Sequence, residues 1–548
     1  MERFAETAAW QDYRRGLAWQ RAMGFAEKFP LYVRFKEGDQ WPPATRRTRS
    51  LPRPVFNMIE MFIRAKRAAV LDQPVSMTCR PTESGGENAA LAARGAQDFT
   101  DYARLLWKRL GQDELNAALV DDAATVGTGV LHYYWDAAVQ GGGSQPFVGE
   151  LRGESIDPLS VVFADPQQRN VQKQAWLLIR QRVPLEEARA MAAAGGMPPA
   201  RVKELCADAA QADYAGAREP DDGGRITVLT RYFRRGGEVF FEKSTRRAVL
   251  QPAQALTPAG APARMTLYPV TVLQWKLRKG CLFGIGEAEG LLPSQKALNY
   301  NMAMMLLSVQ QTGWPKLLVR PNALQQPVTN EPGEILVDYW QGGGDGIRYL
   351  QAPSFSSLAV GLSEKVLSLS REICGVGQVT TGDTERVDLA ASAILAMQNQ
   401  ARTPIREIQR RFWRVMEQAG GIWLQFFRCY CSTPRMVTGG PAAAQGRSFV
   451  GTDYAGVEYE MTVDVGASSE YSEVLSQSTL DKMLDKGYLT IDQYVELSGP
   501  NVAPFRERFR QMRRMAAAPA AAEGGAAETA GNAADGQSAE AWGGRTAV

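Results

Sequence analysis

The chain has 548 residues, 45% of them hydrophobic and 22% charged, with a net charge of +3. That length can bury more than one core, so two to four sub-domains are expected. The near-balance of charge argues against tight nucleic-acid binding, and no apolar run reaches the ~18–20 residues of a membrane span. The polar start, with Glu6, Asp12, Arg14 and Arg15, does not read as a secretion signal. The six cysteines are scattered, with only Cys429 and Cys431 close together, which suits reduced thiols in a cytosolic setting.

In chain order, Phe4 to Phe29 is expected to form one amphipathic helix carrying Trp10, Tyr13, Leu17 and Trp19. A Pro/Arg-rich loop, Trp41 to Pro54, precedes a helix from Val55 to Leu71 that ends before Gln73-Pro74. Val75 to Arg80 is strand-like, and helices follow at Glu87–Leu110 and Asp113–Val126, the latter closed by Gly127 and Gly129. Strands are expected at Val130–Trp135, Phe147–Ile156, Ala175–Arg182, Ile226–Arg234 and Pro269–Leu277, with a helix over Leu185–Ala210. This half reads as an α+β arrangement of local hairpins and helices.

Two rods come next. Glu287 to Gln311 carries Leu291, Leu298, Met302, Met305 and Val309 on one stripe, and its other faces hold Gln295, Asn299, Asn301, Gln310 and Gln311. A narrow apolar seam beside a neutral amide face suits a bundle or ring of identical neighbours. Ser354 to Gly375 is the second rod, with Leu358, Leu362, Val366, Leu369 and Ile373 at helical spacing. Between them lie expected strands at Lys316–Arg320, Glu334–Trp340 and Ile347–Leu350, turned by Gly342 to Gly346. Residues 287–376 hold six Lys/Arg and eight Asp/Glu, so the stretch is slightly acidic.

The polar loop Gly377 to Thr384 leads to a long helix, Asp388 to Phe427, that Pro404 should bend by more than ~20°. Ile405, Ile408, Phe412, Val415, Ile422, Trp423 and Phe426 form its buried stripe. Arg402, Arg406, Arg410 and Arg414 recur every fourth residue and read as a solvated face, as inter-subunit ion pairs or as a nucleic-acid contact. Gly451 to Val465 reads as paired strands and Ser469 to Met515 as short helices broken at Gly487 and Gly499. From Ala516 to Val548, 20 of 33 residues are Ala or Gly, a composition that cannot bury a core.

Catalytic signals are weak throughout. His132 is the single histidine and lies in a strand-like run, where a packed role is expected. No Walker-type phosphate loop or CxxC pair occurs, and Gly284-Ile-Gly286-Glu-Ala-Glu-Gly290 has the wrong spacing for a dinucleotide fingerprint. Glu287 and Glu289 suit the first turn of a helix. Asp121-Asp122 reads as a solvated face and not as a metal pair. No catalytic residue, metal or cofactor is expected.

Several stretches, in order, resemble the portal (head–tail connector) proteins of tailed bacteriophages. They are Arg53-Pro-Val-Phe-Asn57, Asp122 to Gly129, Ile156-Asp-Pro158 through Asp165-Pro166, Phe283-Gly-Ile-Gly286 through Gln295 and Asn299, and Gly382 through Ala391 to Ile394. The resemblance implies a wing over residues 1–286 and stem helices at 287–313 and 354–376. It also implies a clip at 314–353, a tunnel loop at 377–390, a kinked helix with wing strands at 391–468, a helical crown at 469–515 and a disordered tail at 516–548. By the same likeness the chain is a non-enzymatic structural protein that forms a ring of about twelve copies at one capsid vertex. Such a ring is the channel for genome packaging and ejection and the docking site for the terminase large subunit. Head-completion and tail-adaptor proteins, capsid and scaffold proteins and passing double-stranded DNA are further partners, without a membrane. Location follows: the virion portal vertex, and the host cytoplasm during assembly. DNA-channel candidates are Thr380, Thr381, Asp383, Thr384, Arg386, Arg402 and Arg406; oligomer-interface candidates are Leu298, Met302, Met305, Val309, Leu362 and Val366. Another oligomeric head-completion or scaffold protein is the alternative.

Overall fold

The computed structural model describes residues 6–82, 89–143, 146–208, 224–313, 316–324, 337–350, 357–375, 403–437, 447–465, 480–488 and 494. Helices and strands are mixed in an α+β chain. It divides into two units, Met1–Gly466 and Ala467–Val548. In the second, residues 480–485 are helical and Gly487, at φ 70°, follows their end.

The first expected helix is two. Helix α1 (Ala8–Ala22) is capped by the Thr7 side chain, and α2 (Phe25–Lys36) restarts after Gly24. Gly24 takes φ +72°, a left-handed conformation that only glycine adopts at little cost, and it turns the chain between the two helices. Helix α3 (Met58–Leu71), strand β1 (Val75–Pro81) and helices α4 (Ala89–Leu110) and α5 (Gln112–Val126) lie close to their expected positions.

Strands β2 (Thr128–Gly141) and β3 (Phe147–Ile156) make a hairpin to which β9 (Val270–Gln274) adds, in the order β3-β2-β9. A five-stranded antiparallel sheet runs β4 (Val161–Phe163), β5 (Trp176–Pro184), β6 (Arg225–Arg235), β7 (Glu238–Ser244) and β8 (Val249–Ala255). Sequence reading missed β7 and β8, although Gly236 and Gly237, both at positive φ, make the β6–β7 turn. The expected helix over 185–210 is instead α6 (Leu185–Ala194) and the short α7 (Pro199–Lys203), separated by Gly195-Gly196 and Pro198.

Strands expected to pair locally at 451–465 do not. Residues 451–454 form a 3-10 turn, and β14 (Tyr459–Val465) pairs antiparallel with β1, almost four hundred residues away. Two short strands, β12 (Arg435–Val437) and β13 (Arg447–Phe449), pair with each other.

The rods are α8 (Glu287–Gly313) and α9 (Ser357–Cys374), with β10 (Lys316–Val319) and β11 (Ile347–Leu350) paired between them. Residues 337–340, expected to be strand, are not, although Tyr339 N–H bonds to the Ala323 carbonyl. Helix α10 (Thr403–Tyr430) is described from one residue before Pro404. The bend expected there, like the loop 377–390 and the tail 516–548, lies outside the described residues.

Helix α10 contributes heavily to the main core. All seven residues of its expected stripe are buried, together with Met416, Ala419 and Phe427. Phe427 stacks on Phe449 at 4.9 Å and meets Phe99 edge-on at 3.9 Å, so the helix joins α4 to the β12–β13 pair. Offset and edge-on aromatic pairs of this kind add roughly 0.5–1.5 kcal/mol beyond area burial.

Candidate functional site

The motifs singled out in the sequence meet at the base of α8. Gly127 has φ +98°, and a Cβ there would lie 2.6 Å from the Gly284 carbonyl carbon. The N–H of Gly284 donates to Thr128 Oγ1 at 2.9 Å, and the N–H of Leu282 donates to the Pro166 carbonyl at 2.8 Å. The glycine-rich stretch before α8 is therefore a close backbone contact, not a phosphate cradle.

At the first residue of α8, Glu287 is buried with its carboxylate 2.6 Å from Lys66 Nζ of α3, itself 4% exposed. Trp275 Nε1 donates to the same carboxylate at 2.7 Å and Lys276 Nζ stands 3.0 Å away. Burial pushes the Glu287 carboxyl up; the charges of Lys66 and Lys276 and the hydrogen bonds from Lys66 and Trp275 outweigh it and hold it below its ordinary value. Glu287 stands in the first turn of α8, as expected, and locks α8 to α3 through a desolvated pair. Cys374, at the end of α9, is buried beside this pair, and burial pushes its thiol up to about 11.

Two turns further, an amide relay replaces the expected neutral outer surface. Gln295 Oε1 accepts from the N–H groups of Met58 at 2.8 Å and Ile59 at 3.2 Å, while its Nε2 donates to the Phe56 carbonyl at 2.8 Å. Nε2 also donates to Asn299 Oδ1 at 3.0 Å, Asn299 Nδ2 donates to Gln40 Oε1 at 2.6 Å, and Gln40 Nε2 donates to Asn57 Oδ1 at 3.1 Å. Asn57 caps α3 through the N–H of Glu60. The first turn of a helix leaves its N–H groups without intrahelical partners. Here Gln295 and Asn57 take three of them inside the protein. Gln295 and Asn299 are buried, so they are not part of a surface offered to DNA; Gln310 and Gln311 are exposed.

The interface candidates separate. Leu298 is buried and Met302 packs against the main core of its own chain, so their partners are internal. Met305 and Val366 are half-buried, while Val309 is 69% and Leu362 55% exposed. Asn301 Nδ2 donates to Ser363 Oγ at 2.6 Å across α8 and α9. Ser370 and Cys374 of α9 are buried, whereas Leu362, Leu369 and Ile373, the last 75% exposed, turn to solvent. On α8, Tyr300 and Met304 are exposed on the face roughly opposite Leu298 and Met302. Sequence reasoning missed that second apolar face because it sought a single stripe.

Of the DNA-channel candidates, Thr380, Thr381, Asp383, Thr384, Arg386 and Arg402 lie outside the described residues. Arg406, Arg410 and Arg414 are exposed on α10 and make no ion pair among the described residues. Asp121 is not a solvated carboxylate: Lys36 and Arg67 pair with it, tying α2, α3 and α5 together. His132 is packed, with Nδ1 2.8 Å from Glu154 Oε1 and Nε2 2.9 Å from the Tyr232 hydroxyl, and it bridges the two sheets.

Buried pairs and amides fasten the helices to one another, and apolar side chains of α8 and α9 stand open to solvent beside them. Residues 19–251 match the family model described as phage P22-like portal protein. That match supports a place among the tailed-phage portal proteins and a phage portal role, in a family that is structural and not enzymatic. No curated protein matches the chain. No helix among the described residues is long and apolar enough to cross a membrane.

Proposed function

We propose that the chain assembles into a closed ring of about twelve copies at one capsid vertex, forming the channel through which the genome is packaged and ejected. The observation that carries the reading is the outward apolar row of α9. Leu362, Leu369 and Ile373 stand exposed on a helix whose neighbouring side is fixed to α8 and the core. An apolar row of that size in water calls for a partner, and ring neighbours supply one. The match of residues 19–251 to the phage P22-like portal model supports the portal half of this reading.

In this reading residues 1–286 are the wing, α8 and α9 the stem, residues 314–353 the clip and 377–390 the tunnel loop. Residues 391–468 supply the kinked helix and wing strands, and 469–515 the crown. The ring docks a terminase large subunit and tail-adaptor proteins and sits among capsid and scaffold proteins, after assembly in the host cytoplasm. Thr380, Thr381, Asp383, Thr384 and Arg386 face passing double-stranded DNA, with Arg402, Arg406 and their neighbours on α10 offering charge to any phosphate backbone without reading sequence.

Deleting Thr380 to Thr384 tests the channel. Particles carrying the deletion should still contain rings, because no described apolar face is lost, but should hold shortened or poorly retained genomes. Full-length, stably retained DNA would leave the loop as a mere connector.

A further inference from the structure

Beside α8, the loop between α2 and α3 walls an open groove lined by Trp41, Leu51, Pro52, Tyr300, Met304 and Leu307. Its walls are set. Trp41 Nε1 donates to the Pro54 carbonyl at 2.9 Å, and the Trp41 and Tyr300 rings meet edge-on at 5.2 Å. Arg53 donates to the Pro42 carbonyl and to Thr48 Oγ1, both at 3.0 Å, and Thr48 Oγ1 accepts from the N–H of Thr45 at 3.0 Å. One arginine of this loop therefore staples it. The other three, Arg46, Arg47 and Arg49, are exposed on the turn it holds and make no ion pair among the described residues.

We infer that this groove is a docking site for an acidic amphipathic helix of a partner protein, apolar ridge in the groove and carboxylates on Arg46, Arg47 and Arg49. The ridge fills an apolar slot between a helix and a fixed loop, a common mode of helix recognition. The rim favours negative charge, because three exposed guanidinium groups stand within four residues and no carboxylate pairs with them among the described residues. Duplex DNA meets the charge requirement but has no apolar ridge for the slot. A second copy offers the row Leu362, Leu369 and Ile373, yet Lys365 and Arg371 accompany Glu364 and Glu372 on that helix. Its charges cancel and would leave the three arginines unmet. Of these three occupants, the acidic helix satisfies both halves of the surface.

The test uses the full-length chain and two synthetic helical peptides about five turns long. Both carry a Leu/Phe ridge; one is flanked by glutamates and the other by lysines, and binding is read by fluorescence anisotropy. The acidic peptide should bind and weaken as salt rises. Changing Arg46, Arg47 and Arg49 together to Gln should weaken it roughly tenfold. Met304→Asp should weaken it by on the order of a hundredfold, with circular dichroism confirming that both variants fold.

Four results overturn the inference: no binding of the acidic peptide, equal binding of the lysine peptide, displacement by duplex DNA, or loss of oligomers in Met304→Asp. The last would make the groove a seam between copies. None of the first three touches the ring reading, which the mass of the assembled protein decides separately.

Discussion

Lys66 and Glu287 form an ion pair at 2.6 Å with both side chains almost wholly withdrawn from water. The pair joins α3 to the root of α8 across more than two hundred residues of sequence. Removing one member of such a pair leaves a buried charge without its main partner, a loss of roughly 3–5 kcal/mol. Lys66→Met should accordingly lower the urea midpoint strongly, although Lys276 and Trp275 still reach the carboxylate. The pH dependence has a definite sign. Glu287 is held below the ordinary carboxyl value, so its stabilisation is present above the unfolded value of about 4.3 and is lost as pH falls through the lower folded one. Denaturant midpoints taken from neutral to acid pH should fall on that limb. Glu287→Gln should flatten it; an unchanged acid limb would mean the carboxylate contributes nothing.

Gln295 makes a sharper case, since no charge is involved. Gln295→Leu keeps the volume but leaves the N–H groups of Met58 and Ile59 facing an apolar side chain. The Met58 N–H keeps the Phe56 carbonyl at 2.7 Å, so the expected cost is about 1–3 kcal/mol, chiefly for the Ile59 N–H, read as a fall in the denaturation midpoint. Gln310→Leu, at an exposed position on the same helix, should shift it little. Equal effects at the two sites would show that burial of the relay has been misjudged.

That relay also marks how far the sequence could be read. Periodicity located α3, α5, α8 and the α10 stripe, because a buried face imposes its spacing on the residues themselves. It could not say that Gln295 and Asn299 point inward: amide side chains are mostly exposed, and only the hydrogen-bond partners of these two reveal the exception. Partners distant in sequence were equally out of reach, as β1 with β14 and Lys66 with Glu287 show. Helix breaks at Gly24 and Gly195-Gly196 and the Gly236-Gly237 hairpin were legible and went unread. The ordered motifs were informative for a physical reason: Asn57, Gly127, Gly284, Gln295 and Asn299 all belong to one joint.

The inward and outward apolar positions of α8 and α9 should respond differently to charge. Met302 packs on the chain's own core, so Met302→Asp should cost monomer stability as well as assembly. Ile373 and Val309 face solvent, so Ile373→Asp or Val309→Asp should leave the circular dichroism spectrum and midpoint of the monomer nearly intact while blocking oligomers. Normal assembly by Ile373→Asp would remove the outward α9 row from the interface.

The central claim is that these open faces close a ring, and the mass of the assembled full-length protein tests it most directly. Native mass spectrometry, with negative-stain images of the same sample, should give one closed species of about twelve copies with a central channel. A monomer that stays monomeric at every concentration, or an open filament without closure, would contradict the account.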